Sequence, residues 1–267
     1  MKEQQPLVSI ITIVFNGEKH LQQTIESVLG QSYSNIEYII IDGESKDNSV
    51  SIIKKYSTHL AYWTSEPDTG ISDAFNKGIK KAKGQIIGII NADDWYEPNA
   101  LQQVVDVIKE SDIVYGDLRL IKDEKTDFIL KGTHNLLNTV MTLNHPTVFI
   151  KKSVYEKYGL FNENLKCAMD YELMLRFKLS NCKFKYIPAT LANMRWEGTS
   201  DKKWIEGCKE TLKVKNVYFP NQRIRNSLFF LKHVIGIALP KYLERFKLNF
   251  LIKAYRKRYA HQKKIYQ

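Results

Sequence analysis

The chain has 267 residues, 43% of them hydrophobic and 12% aromatic, which is the composition of a globular protein with a hydrophobic core. Its formal net charge of +11 is uneven, because residues 1–200 carry 23 basic and 25 acidic side chains whereas residues 201–267 carry 17 and 4. The three cysteines are an odd number without metal-site spacing, which argues against a disulfide framework or a structural zinc site. We therefore expect one large domain over residues 1–205 and a basic, amphipathic helical region over residues 206–267.

The first ninety residues alternate predicted strands and helices. Apolar, β-branched runs over Leu7–Phe15, Ile36–Ile41 and Ile86–Ile90 predict buried strands. Between them we expect a helix ending at Gly30, a helix opening at Asp47–Asn48, a short strand over Leu60–Thr64 and a helix over Gly70–Lys83. Strands that alternate with helices of this length indicate an α/β fold with a mostly parallel central sheet and right-handed crossovers.

Beyond Pro98 the pattern is less regular. The predicted elements there are a helix through Val104, Val105 and Ile108, a strand over Ile113–Tyr115, a hairpin of Leu118–Lys122 with Asp127–Lys131, a strand over Thr147–Ile150 and a helix from Asp170 to Leu179. Repeats and glycine- or serine-rich linkers are missing from the sequence up to about residue 200, so these elements belong to the same domain as the first strands.

Acidic side chains follow the predicted strands. Asp42 ends the second strand, Asp93 and Asp94 follow the strand after the third predicted helix, and Asp170 opens a helix. The carboxyl ends of neighbouring parallel strands share one edge of a sheet, so Asp42 and Asp93 should approach each other. Adjacent carboxylates repel unless they are solvated or share a cation, and oxygen ligands suit magnesium or manganese. An acidic turn at residues 93–94 and a helix N-cap at Asp170 are the purely structural alternatives.

The ordered motifs resemble those of the family 2 inverting glycosyltransferases, which have the GT-A fold. The resemblance covers about residues 7–200. Each motif alone is weak evidence for the family, but the ordered set is specific. The motifs are Val8–Asn16, Ile41–Ser45, Glu66–Gly78, Asn91–Asp94, His145–Thr147 and Met169–Glu172. The resemblance implies a nucleotide-sugar donor, a divalent cation (Mn2+ or Mg2+), and an acceptor hydroxyl on a glycan or lipid-linked saccharide in cell-surface polysaccharide synthesis.

The resemblance also assigns roles to individual residues. Asp170 matches the base that deprotonates the acceptor, and Glu172, two residues later on the helix, is the poorer candidate. Asp93 matches the direct metal ligand, with Asp94 as the second choice. The predicted residues of the donor site are Thr12, Val14, Asn16, Glu18, Asp42, Asp73, Asn76, Asn91, Ala92, Asp93, His145 and Arg195.

Within that set, Thr12, Val14 and the turn from Asn16 to Glu18 would line the nucleotide base, and Asp42 would accept a hydrogen bond from a pyrimidine ring N–H, which favours UDP. Two positions depart from the family pattern. Asn91 replaces the first aspartate of the DxD motif, which removes one negative charge, and Glu197 stands where relatives often have a histidine.

Residues 224–258 mix apolar and basic blocks, which predicts helices that lie in an anionic membrane interface. The alternative is that their apolar faces pack on the first domain. Residues 1–5 lack the apolar core of a signal peptide, and no run reaches the roughly 18–20 apolar residues of a membrane span. We therefore expect a cytoplasmic protein that is peripheral at the inner face of the cell membrane.

Two other functional classes fit less well. A sugar nucleotidyltransferase would be expected to carry a glycine-rich, basic phosphate loop after the first strand, and Val14–Gly17 lacks one. A nucleic-acid-binding protein would expose its basic residues on a polar surface, whereas here they are interleaved with long apolar blocks. We therefore expect no nucleic-acid partner.

Overall fold

The computed structural model of the protein describes residues 5–122, 125–195 and 204–245. The chain divides into two compact units, Met1–Glu197 (unit 1) and Gly198–Gln267 (unit 2). The boundary that the sequence predicts, after residue 205, lies a little beyond this division.

The first part of unit 1 is a parallel sheet with a helix between most successive strands. Its elements are β1 (Val8–Val14), α1 (Leu21–Leu29), β2 (Ile36–Asp42), α2 (Ser49–Lys55), β3 (Tyr62–Ser65), α3 (Ile71–Lys81) and β4 (Ile86–Asn91). β1 pairs in parallel with both β2 and β4, and β2 pairs in parallel with β3. The predicted alternation of strands and helices is therefore confirmed. The expected strand at Leu60 starts two residues later, because Ser57–His59 forms a 3-10 turn before it.

The second part of unit 1 extends the same sheet. Its elements are β5 (Trp95–Tyr96), α4 (Ala100–Val107), β6 (Ile113–Lys122), β7 (Lys125–Leu130), β8 (Val148–Lys151), α5 (Lys152–Tyr158), α6 (Met169–Leu179) and β9 (Phe184–Arg195). In the described part of the chain, nine strands form one sheet in the order β3-β2-β1-β4-β8-β6-β9-β5, with β7 paired to β6. The predicted β6–β7 hairpin is confirmed, whereas β5, α5 and β9 were not expected from local patterns.

The register of the parallel strands decides where the polar side chains gather. Val14 of β1 lies opposite Asp42 of β2, and Ile13 lies opposite Asn91 of β4. Three neighbouring strands therefore end together at one edge, which is where an open α/β sheet binds ligands. Their apolar residues are buried on both faces, as expected of parallel strands covered by helices.

Unit 2 consists of α7 (Trp204–Tyr218), a 3-10 turn at Pro220–Gln222 and α8 (Arg223–Arg245). The two helices pack against each other, and the buried Asn226 amide donates to the Asn216 side chain (3.0 Å) and to the Lys215 carbonyl (3.3 Å). The predicted C-terminal helices are thus present. Over residues 5–122, 125–195 and 204–245, no helix is both long enough and apolar enough to span a bilayer.

Candidate functional site

Two loops at the sheet edge are joined by hydrogen bonds from residues that the sequence assigns to the nucleotide-sugar site. Asn16 has a left-handed backbone (φ 51°), and its N–H donates to Ser45 Oγ (2.8 Å) while its Oδ1 accepts from the Lys46 N–H (2.9 Å). The Glu18 carboxylate accepts from both the backbone and the side-chain amide of Asn48 (2.9 and 2.7 Å). Asn16 and Glu18 therefore lie at the predicted edge, where they join the loops after β1 and β2.

The Asp42 carboxylate lies below this edge and is fully buried. It accepts hydrogen bonds from the Ser45 N–H (3.0 Å), the Ser45 hydroxyl and the Ser65 hydroxyl (2.6 Å). Three donors satisfy a buried carboxylate without a cationic partner. Asp42 thus orders the ends of β2 and β3, and its contact with a nucleotide base stays a prediction.

Two residues that the sequence assigns to the nucleotide-sugar site are buried in the interior. The Thr12 hydroxyl is completely buried, 3.0 Å from the Tyr38 hydroxyl, and burial raises the pKa of that tyrosine. Val14 is also buried. Since parallel strands point alternate side chains to opposite faces and both faces are covered, these residues support the edge from below and do not open onto it.

The amide of Asn76 is likewise engaged by protein groups. Its Nδ2 donates to the Phe161 carbonyl (3.0 Å) and to Glu163 (2.8 Å), and its Oδ1 accepts from the Phe161 N–H (3.0 Å). On the same helix, the Ser72 hydroxyl donates to the Leu165 carbonyl (3.1 Å). The sequence predicts Asn76 as a donor contact, but the structure shows it holding the loop at residues 159–168 that leads to α6.

Asp73 remains half-buried near the start of α3. Its carboxylate accepts from the Thr69 N–H (3.0 Å) and lies 3.4 Å from Lys77 Nζ, which also lies 3.3 Å from Glu66. Burial acts to raise the pKa of Asp73, but the Thr69 N–H and the Lys77 ammonium outweigh it and lower the pKa below its ordinary value. This network holds residues 66–77 in one conformation beside the edge.

The turn after β4 places its two carboxylates in different environments. Asp93 is half-buried, whereas Asp94 is only 1% exposed and its Oδ1 has no hydrogen-bond partner. Burial, and then the charge of Asp93, raise the pKa of Asp94 well above its ordinary value. The Thr24 hydroxyl holds this turn by donating to the carbonyls of Ala92 (2.9 Å) and Asp94 (2.7 Å). The sequence did not single out Thr24, because a threonine within a helix carries no signal of so distant a contact.

Replacing this buried carboxyl should stabilise the protein. We expect Asp94→Asn to raise the Tm by about 2–4 °C in the absence of divalent cations, because a neutral amide costs less to bury than a charge. The raised pKa makes the wild-type protein lose stability as the pH rises above the ordinary aspartate value. The difference should therefore vanish near about pH 4 and widen towards neutral pH. Thermal melts across that range, with the exposed Asp106→Asn as control, measure it; an equal gain in both variants would contradict the explanation.

The donor atoms at residues 91–94 fit a hard divalent cation. Two adjacent carboxylates and the Asn91 amide supply oxygen atoms, and Asp94 Oδ1 has no hydrogen-bond partner. In the described residues no three acidic, histidine or cysteine side chains form a cluster. Glu197, the other residue considered near this site, lies outside the described residues.

Arg195 holds the same turn from the end of β9. Its Nη1 donates to the Asp93 carbonyl (2.7 Å), its Nη2 donates to Gln23, and its guanidinium lies 4.4 Å from the centre of the Trp95 ring. The buried Nε has no hydrogen-bond partner. Contact between Arg195 and a diphosphate stays a prediction, and its observed contacts fix the residues that would bind a cation.

Asp170 lies in the first turn of α6, whose N-cap is Ala168, so the alternative that Asp170 serves as an N-cap is wrong. Its side chain is 28% exposed, and its Oδ1 lies 3.1 Å from Nδ1 of His145 without hydrogen-bond alignment. The His145 ring stacks on Phe75 of α3, with centroids 4.8 Å apart. Asp170 and His145 line a small, mainly apolar cavity together with Ile89 of β4. Asp170 therefore approaches the strand that ends at the acidic turn.

Glu172 is separated from Asp170 by its partners. It is buried, and its two oxygens accept from Nε (2.9 Å) and Nη2 (3.0 Å) of Arg176. The same guanidinium donates to the carbonyls of Tyr158 and Leu160 (2.6 Å). A carboxylate held in this bidentate pair stabilises the loop before α6 and is not available to an acceptor.

Comparison with known proteins gives consistent results. The family model described as Glycosyl transferase family 2 matches residues 9–180. An uncharacterized glycosyltransferase of Rickettsia typhi is 34% identical over 188 residues, which are 64% of this chain and 58% of that protein. The chain therefore spans little more than half the length of this relative.

Two solved structures share the fold. S. aureus TarS 1–349 in complex with UDP-GlcNAc matches with a TM-score of 0.64 at 17% identity, over 86% of this chain and 73% of that one. The mannosyltransferase PcManGT from Pyrobaculum calidifontis, in complex with GDP-Man and Mn2+, matches with a TM-score of 0.63 at 16% identity, over 90% and 73%. These similarities confirm the predicted GT-A fold.

Proposed function

The chain belongs to glycosyl transferase family 2, and we propose that it is an inverting enzyme that transfers a sugar from a UDP-sugar to a hydroxyl of a glycan or lipid-linked saccharide in cell-surface polysaccharide synthesis. One observation carries the proposal. A partly exposed carboxylate, Asp170, lies in the first turn of a helix and shares a cavity with the strand that ends in Asn91–Asp94. This arrangement suits a base beside a diphosphate site.

The polar groups at the sheet edge support a nucleotide-sugar donor. The loops after β1 and β2 form a polar rim at Asp42, and the two structural neighbours were solved in complex with UDP-GlcNAc and with GDP-Man and Mn2+. The Asp42 carboxylate can accept from the ring N–H of uracil, and this together with the family resemblance is why we propose UDP as the nucleotide. Asp42 accepts three hydrogen bonds from Ser45 and Ser65, and a carboxylate has about four acceptor sites, so the contact does not require it to release a serine.

Asp170 would act on the acceptor. An alcohol is a poor nucleophile at neutral pH and needs a general base within hydrogen-bond reach. The acceptor oxygen attacks the anomeric carbon, its proton passes to Asp170, and the bond to the diphosphate breaks with the electron pair going to the nucleoside diphosphate. This single displacement inverts the anomeric centre. Asp170 lies in the first turn of α6, at the cavity that the acceptor hydroxyl would enter.

Asp93 and Asp94 would hold a divalent cation, Mn2+ or Mg2+. Such a cation, when bound, supplies positive charge that stabilises the departing diphosphate. The Arg195 guanidinium and the Thr24 hydroxyl fix the backbone carbonyls of this turn, so both carboxylates are positioned before a donor arrives.

We also propose that the protein works in the cytoplasm, at the inner face of the cell membrane, where a lipid-linked acceptor would be found. The excess of basic residues beyond residue 200 supports this location, because basic segments are attracted to anionic leaflets.

Nucleotide release tests the proposal. We expect the protein to release UDP from a UDP-sugar when Mn2+ and a saccharide acceptor are present, and to release less from GDP- or dTDP-sugars. NMR of the product should show an anomeric configuration opposite to that of the donor. Release of pyrophosphate from UTP and a sugar 1-phosphate, with no UDP from any UDP-sugar, would instead indicate a nucleotidyltransferase.

A further inference from the structure

One face of α8 exposes a row of large apolar side chains. Ile224, Leu228, Leu231 and Ile235 are each 50–81% exposed. Their spacing of four, three and four residues places them on the same side of a helix, in a row about 16 Å long. We call these four residues the α8 stripe. A water-facing row of this kind costs free energy unless another surface covers it.

Within residues 204–245 of unit 2, α8 packs on α7 through a side other than the α8 stripe. The buried Asn226 lies on another side of α8 and bonds to α7 and the turn after it. Phe229 lies under Lys215 Nζ (4.0 Å from the ring centre), and Phe230 lines a small cavity with Cys208 of α7. The hairpin of α7 and α8 is therefore held together by one side of α8, while the α8 stripe is on the other.

The basic residues around the α8 stripe distinguish between a second protein copy and a membrane as the covering surface. Exposed Arg225 and Lys232 flank the α8 stripe, and Arg223 is also exposed. In the sequence of residues 223–245 there are five arginines and lysines and one acidic residue, Glu244. A second copy packed on the α8 stripe would bring Arg225 and Lys232 close to like charges, and α8 has only Glu244 to pair with them. The surface of an anionic lipid bilayer, with an apolar interior and negatively charged headgroups, complements both the apolar row and the basic residues.

We infer that the α8 stripe is a membrane-docking face that enters the headgroup region of an anionic bilayer, with Arg225 and Lys232 on the lipid phosphates. An apolar row with basic flanks on one helix is the pattern of helices that lie in the plane of a membrane interface. The inference rests on the proposed function only because a lipid-linked acceptor would be located at the membrane surface. It identifies the lipid class and the four side chains that make the contact.

Vesicle flotation of the full chain tests the inference. We expect binding to phosphatidylcholine vesicles that contain phosphatidylglycerol, and a loss of about tenfold or more in the partition coefficient for Leu228→Ser/Leu231→Ser. The matched control is Ile205→Ser/Val217→Ser, which removes two exposed apolar side chains of α7 that lie outside the α8 stripe. Arg225→Gln/Lys232→Gln should weaken binding to the anionic vesicles, with circular dichroism showing that every variant is folded.

Three results would overturn the inference. The first is an equal loss of vesicle binding in the α7 control, and the second is equal binding of the wild type to pure phosphatidylcholine vesicles. The third is a wild-type dimer in light scattering that Leu228→Ser/Leu231→Ser dissociates while vesicle binding is unchanged. Release of UDP in solution, measured on the same variants, separates the two proposals. Lost flotation with unchanged UDP release supports the docking face, whereas absence of UDP release from the wild type would count against the proposed function alone.

Discussion

Asp170→Asn is expected to lower the rate of sugar transfer by about 10²–10⁴-fold, because an amide cannot take the proton of the acceptor hydroxyl. Donor binding should be nearly unchanged, since Asp170 acts on the acceptor and not on the nucleotide. The fold should also be unchanged, because the side chain is partly exposed and its Oδ1 makes no aligned hydrogen bond. Measurement of kcat and of the donor KM, with a thermal melt of the same preparation, checks all three expectations.

Two controls make this test specific. Asp127→Asn makes the same chemical change on the exposed strand β7 and should leave kcat within about twofold. Glu172→Gln should lower the Tm, because it weakens the bidentate pair with Arg176, while the folded enzyme keeps most of its activity. If Glu172→Gln, still folded, lost as much kcat as Asp170→Asn, the assignment of the base to Asp170 would be wrong.

Asp93→Asn is expected to lower metal-dependent transfer by about 100-fold or more. A cation contributes several kcal/mol to stabilising a departing diphosphate, and about 1.4 kcal/mol corresponds to a factor of ten in rate. The cation concentration for half-maximal activity should rise, and calorimetry should show weaker UDP binding in the presence of Mn2+ than for the wild type. UDP binding in the absence of Mn2+ should be similar in both proteins.

The matched change at the neighbouring position distinguishes a ligand role from a folding role. Asp94→Asn should also reduce the response to Mn2+, but it should raise the thermal stability, whereas Asp93 is half-buried and its replacement should leave the Tm nearly unchanged. If Asp93→Asn retained the wild-type Mn2+ response, the metal would have to be held by other groups. A wild-type enzyme equally active in EDTA would exclude a catalytic cation altogether.

Most elements of the first ninety residues and several positions at the sheet edge could be predicted from local sequence. The apolar runs at Leu7–Phe15, Ile36–Ile41 and Ile86–Ile90 became β1, β2 and β4, because fully buried parallel strands are read directly from continuous β-branched residues. The positions of Asp42 and Asn91 at one sheet edge follow from parallel pairing, and the place of Asp170 in the first turn of a helix follows from the apolar period after it.

The environment of each polar side chain could not be predicted in this way. The sequence could not show that Asn76 holds a loop 85 residues away or that Glu172 is engaged by Arg176. It could not show that Asp94 is buried while Asp93 is half-exposed, or that β9 becomes a parallel partner of β6. Local periodicity records which faces of an element avoid water. The partner of a polar group, and hence its charge and its role, depends on distant residues that only the folded chain brings within hydrogen-bonding distance.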